Sequence, residues 1–132
     1  MKKYENFCKA LENLKNLHRY EPPYEDPVIV AGLCSLYVIC FEQSWRAMKE
    51  YLWEEGWSEA ASGSPRQILK TAYQAGLIQE ERNWLKALEA RNLQTHTYNE
   101  EAALQLITDT KNIYLSLFEN LKKELHDKGI RD

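Results

Sequence analysis

Hydrophobic positions recur every three or four residues along almost the whole chain, the spacing that gives a helix one apolar stripe. Tyr4, Phe7, Leu11 and Leu14 predict a first helix from about Lys3 to His18. Pro22 and Pro23 end it and open a connector reaching about Pro27. From Val28 to Phe41 the chain runs for 14 residues without a charge. The helix predicted there extends to about Trp53, its stripe narrowing to Phe41, Trp45, Met48 and Leu52. One neighbour cannot cover a helix that is apolar on all sides, so a central position or a seam between subunits is implied.

Gly56 and the polar segment Ser58–Gly63 read as a loop. Ser64 followed by Pro65 is a helix start, because the serine oxygen can accept an orphan N–H and proline is preorganised for the first turn. The short helix predicted over Pro65–Ala75 stops at Gly76, and a fourth, over about Gln79–Leu93, presents Trp84, Leu85 and Leu88. The last carries Ala103, Leu106, Ile107, Thr110, Ile113, Tyr114, Leu117, Leu121 and Leu125 on one face. It starts either at Thr97, which forms a capping box with Glu100, or at Asn99; the tail after Lys122 is expected to fray. The expectation is one all-α domain over residues 1–132, an antiparallel up-and-down four-helix bundle with one additional short helix off its axis.

Charge narrows the partners. Seventeen Lys and Arg against 20 Asp and Glu leave a net −3, which argues against a general nucleic-acid coat but permits a local basic pocket. Cys8, Cys34 and Cys40 sit in apolar patterns without metal spacing and read as small core residues in a reducing compartment. No metal and no cofactor is expected. The N-terminus lacks a signal-peptide core, and the 14 uncharged residues fall short of the roughly 20 that a simple membrane span requires. No membrane partner and a cytoplasmic location are expected.

Against this background the segment WLKALEARNLQTHTYNEEAA places Arg91, Asn92, His96 and Tyr98 close together. A guanidinium can hold a phosphate and offset charge developing on it, and an imidazole can move a proton near neutral pH without a metal. These make Arg91 and His96 the candidate catalytic pair. Asn92 could orient His96 or a ribose hydroxyl, and Tyr98 could hydrogen-bond or receive a modification. The bland alternatives are a solvated cation at a helix end, a loop imidazole and a packing aromatic. On an unbroken helix Tyr98 lies within roughly 20° of Arg91 and His96 roughly 140° away; a break near Thr95–Thr97 would turn His96 back. Trp84, Trp45 and Trp53 read as core or seam packing rather than base-stacking platforms, since they lie in helical apolar stripes with no basic interleaving.

Three ordered blocks, FEQSWRAMKEYL from Phe41, SPRQILKTAYQAGLI from Ser64 and WLKALEARNLQTHTYNEEA from Trp84, make the chain resemble the nucleotidyltransferase substrate-binding proteins, a branch of the HEPN superfamily. The resemblance runs over nearly the whole chain. It implies a self-associating helical bundle, commonly a dimer, that partners a separately encoded minimal nucleotidyltransferase. It also implies that Arg91, Asn92 and His96 match a motif that, in active members, is the centre of a metal-independent ribonuclease formed across a dimer. In related toxin–antitoxin pairs the partner transfers AMP to the tyrosine two residues after the histidine, which here is Tyr98. Three functions follow as expectations: a nucleotidyltransferase substrate-binding subunit, itself a candidate for modification; a ribonuclease toxin acting on RNA; and a purely structural helical dimer.

Overall fold

The computed structural model describes residues 2–96 and 99–129, and among these every regular element is helical. Helix α1, Lys2–Leu14, tightens into a 3-10 turn over Lys15–Arg19. Helix α2, Pro27–Glu54, opens with Pro27 in the first turn and Asp26 as its cap, the carboxylate accepting the Val28 N–H at 2.9 Å. After a 3-10 turn at Ser58–Ala61, Ser64 caps α3, Pro65–Gln74, accepting the Gln67 N–H at 3.3 Å. Gly76, at φ +78°, supplies the left-handed residue that lets the chain turn back after α3. Helix α4 spans Glu81–His96, α5 Glu100–Asp109 and α6 Leu115–Asp127.

Two boundaries differ from the sequence expectation, and a third, open between two starts, is resolved. Helix α4 runs three residues past Leu93, to His96. Of the two starts considered for the last helix, Asn99 is the cap, its side chain accepting the Ala102 N–H at 3.0 Å; Thr97 lies outside the described residues. The end of that helix does not fray at Lys122: α6 continues to Asp127 because Leu121 and Leu125 are buried in the bundle.

Helices α5 and α6 are one long helix wound more widely over Thr110–Tyr114, a π-helical turn. At its start the Thr110 hydroxyl donates back to the Leu106 carbonyl at 2.7 Å, the type of side-chain bond that competes with regular winding. The turn carries Lys111, whose ammonium donates to the Tyr20 carbonyl at 2.6 Å and the Tyr24 hydroxyl at 2.8 Å. That pins the proline-rich connector against the bundle.

The core is aromatic at its centre. Trp84 of α4 meets Phe41 of α2 and Phe118 of α6 at centroid distances of 6.3 and 5.6 Å, and Tyr37 packs on Tyr114 at 5.4 Å. Tyr37 keeps its buried hydroxyl satisfied by donating to the Ala87 carbonyl at 2.7 Å. Helix α2 is central, touching α1, α3, α4, α5 and α6. Its length and apolar composition would suit a membrane span, but Val30, Leu33, Tyr37, Cys40 and Phe41 are buried in the bundle, as in the core helix of a globular protein. The opposite side of its first half, with Val28, Ala31, Gly32, Ser35 and Ile39, stays exposed.

Candidate functional site

Arg91 sits in the last two turns of α4, facing α2 where the uncharged run ends. The first charge after that run is Glu42, and the two meet: Arg91 Nε donates to Glu42 Oε1 at 2.6 Å. Arg91 Nη1 also donates to Asn92 Oδ1 at 2.8 Å, so Asn92 orients the arginine. The second carboxylate oxygen, Glu42 Oε2, accepts the indole N–H of Trp45 at 3.2 Å. With side chains 24 % and 21 % exposed, Arg91 and Glu42 form a charge-assisted bond partly withdrawn from water. Two of the five guanidinium N–H donors are committed here, leaving the rest of the fork for an anion.

His96 closes α4. Because the helix is continuous from Arg91 to His96, five steps turn the two positions roughly 140° apart around its axis. Of the expected break near Thr95–Thr97, Thr95 is helical and Thr97 lies outside the described residues; the next helix has its own cap at Asn99. The His96 side chain and Tyr98 lie outside the described residues. Beside the end of α4 runs a groove of about 370 Å³ lined by Cys34, Ser35, Val38 and Ile39 of α2 and by Gln94 and Thr95 of α4. It adjoins the exposed apolar side of α2, so the motif helix ends where a second chain would find apolar surface.

Two of the three cysteines are unsuited to chemistry of this kind. Cys34 and Cys40 are buried, and burial pushes the Cys34 thiol up to about 11 and the Cys40 thiol higher still. Cys34 instead donates weakly to the Ala103 carbonyl at 3.6 Å, tying α2 to α5. Among the described residues no cluster of three or more His, Cys, Asp or Glu side chains is placed to hold a metal.

Sequence reasoning missed Glu42 and Trp45. The available signal was the position of Glu42 as the first charge following a long apolar run, because a charge at such a place must find a partner. The tryptophans differ in exposure. Trp84 is a core residue, 2 % exposed, but Trp53 is 57 % exposed and Trp45 half-buried. Basic residues do interleave them: Arg46 and Lys49 stand between the two in sequence. Positions 45, 49 and 53, four apart, share one helix face.

The family model described as nucleotidyltransferase substrate binding protein like matches residues 2–127. "Probable ribonuclease HepT" of Haemophilus influenzae is 26 % identical over 92 residues, a stretch spanning 68 % of this chain and 63 % of that relative. A crystal structure from Thermus thermophilus is 32 % identical, with a TM-score of 0.76 over 90 % of this chain and 98 % of that one. A Haemophilus influenzae structure, described as revealing the fold of a substrate binding domain of a nucleotidyltransferase, superposes with a TM-score of 0.78 over 93 % of this chain and 98 % of its own. At 20 % identity it shares the fold. With the family model matching from α1 to the end of α6, the chain belongs to the nucleotidyltransferase substrate-binding protein family.

Proposed function

We propose that this chain is the substrate-binding subunit of a nucleotidyltransferase, partnering a separately encoded minimal enzyme in the cytoplasm. The observation that carries this reading is the family match over residues 2–127. The Arg91–Glu42 pair agrees with it, since a guanidinium already held by a carboxylate at 2.6 Å is arranged for positioning more than for cleaving a phosphodiester. The subunit acts as a homodimer. The exposed apolar side of α2, including Val28 and Ile39, forms its seam, and self-association buries more than about 1,000 Å² in total.

In this reading Tyr98 is the acceptor of AMP. Its phenol oxygen attacks the α-phosphorus of ATP, pyrophosphate leaves, and the phenolic proton passes to a base of the partner enzyme. The test is incubation with that enzyme and ATP, followed by peptide mass spectrometry. One AMP mass on the peptide containing Tyr98, absent in Tyr98→Phe, is expected; an unmodified wild-type peptide removes Tyr98 as acceptor.

A second reading, a metal-independent ribonuclease, is favoured by the name of the HepT relative and by the intact Arg91, Asn92 and His96. With the two positions turned apart on one helix, it requires Arg91 and His96 of different subunits to meet on one RNA. The distinguishing measurement is RNA cleavage in a metal chelator. Loss of cleavage in His96→Ala supports this reading, and equal rates or no cleavage by either protein removes it.

A further inference from the structure

A cleft lies away from Arg91, between the start of α1, the second half of α2 and the 3-10 turn at Ser58–Ala61. It measures about 500 Å³, within the range of about 300–1,000 Å³ usual for small-molecule sites. Two indoles, Trp45 and Trp53, line it together with three cations, Lys3, Arg46 and Lys49. The opposing charge is Glu50, whose Oε1 accepts the Lys3 backbone N–H at 3.3 Å. The Arg46 guanidinium carbon stands 5.8 Å from the centroid of the Trp45 ring, a cation–π contact that holds it at the rim.

An exposed tryptophan usually reflects either a partner or wasted apolar surface, and the cations decide between them here. Three positive groups around two flat rings repel a polycation and disfavour a purely apolar segment. They suit a ligand with a planar base and an attached phosphate, the base stacking on indole and the phosphate shared among Lys3, Arg46 and Lys49. We propose that this cleft binds a nucleoside polyphosphate, with Trp53 as the stacking face and Arg46 and Lys49 as the phosphate clamp. A cleft of about 500 Å³ has room for a single nucleotide. The site is also wired to the motif: the Trp45 ring lines the cleft while its N–H holds Glu42, which in turn holds Arg91. Occupancy can therefore be felt at Arg91 through one carboxylate.

The proposal stands independently of the partnership proposed above, because it is tested on the purified chain alone. ATP, in a metal chelator, is titrated against the protein by calorimetry and by tryptophan fluorescence. Saturable binding below millimolar concentration with quenching is expected, falling as salt rises. Trp53→Ala and the double variant Arg46→Gln/Lys49→Gln should each weaken it about tenfold or more, and inorganic triphosphate or adenosine alone should bind at least as much more weakly. Lys49→Glu provides a second charge variant, and circular dichroism confirms that each protein remains helical. Absence of saturable ATP binding by the wild type would overturn the site. So would unchanged affinity in folded variants, or binding of a short single-stranded RNA without binding of the mononucleotide.

Discussion

Arg91 illustrates how a residue's chemistry is set by what faces it. Alone on a helix end it would be a mobile cation; opposite Glu42 it is a fixed one, with Asn92 and Trp45 completing a four-residue chain of hydrogen bonds. A double-mutant cycle on chemical denaturation, combining Arg91→Ala and Glu42→Ala, should therefore give a coupling of about 1–3 kcal/mol. Additivity within experimental error would mean the pair is not formed in solution. The buried thiols make a separate prediction. A folded-state pKa raised to about 11 at Cys34 means that the unfolded chain releases its proton first as pH rises from the ordinary 9.0. Stability from the neutral thiol is then complete below pH 9 and lost toward pH 11, and burial of Cys40 and Tyr37 acts in the same direction. Thermal midpoints should fall across that window. In the native protein at neutral pH the half-buried Cys8 should react with a thiol reagent well before Cys34 and Cys40.

At the scale of elements, the places where the chain declares its own boundaries were legible. Ser64–Pro65, the double proline and Gly76 each act through local backbone chemistry, and the structure uses each one. The all-helical class was equally legible, because the 3.6-residue period continues through every long segment. The π-helical turn was not, since it rests on one threonine hydroxyl and on the tertiary bonds of Lys111 to Tyr20 and Tyr24, 91 and 87 residues away in sequence. The same distance hid half of the candidate site. Arg91, Asn92 and His96 could be found from their spacing, whereas Glu42 lies 49 residues from Arg91, and only the packing of α4 on α2 brings them together. The caps give a direct check: Asn99→Ala removes the bond to the Ala102 N–H and should cost about 1 kcal/mol in urea unfolding. Asn99→Asp should restore it, the carboxylate also suiting the positive end of α5.

For the whole molecule, α2 sets the balance between core and surface. One side anchors the bundle through Tyr37, Cys40 and Phe41, and truncating their neighbour Trp84 to alanine should cost about 3–5 kcal/mol, enough to unfold a marginal domain. The other side offers Val28 and Ile39 to solvent, a patch that a second copy would cover. Ile39→Glu should then convert the proposed dimer to monomer in sedimentation without loss of helix content; an unchanged assembly would move the seam elsewhere. Partnership with a nucleotidyltransferase is proposed for the molecule as a whole. Its most direct measurement is co-expression of the chain with a minimal nucleotidyltransferase, the proposed partner, followed by size-exclusion chromatography with light scattering. A stable complex containing both chains, with this chain present as a pair, is the predicted result. Separate elution of two folded proteins at micromolar concentration would contradict the proposed partnership.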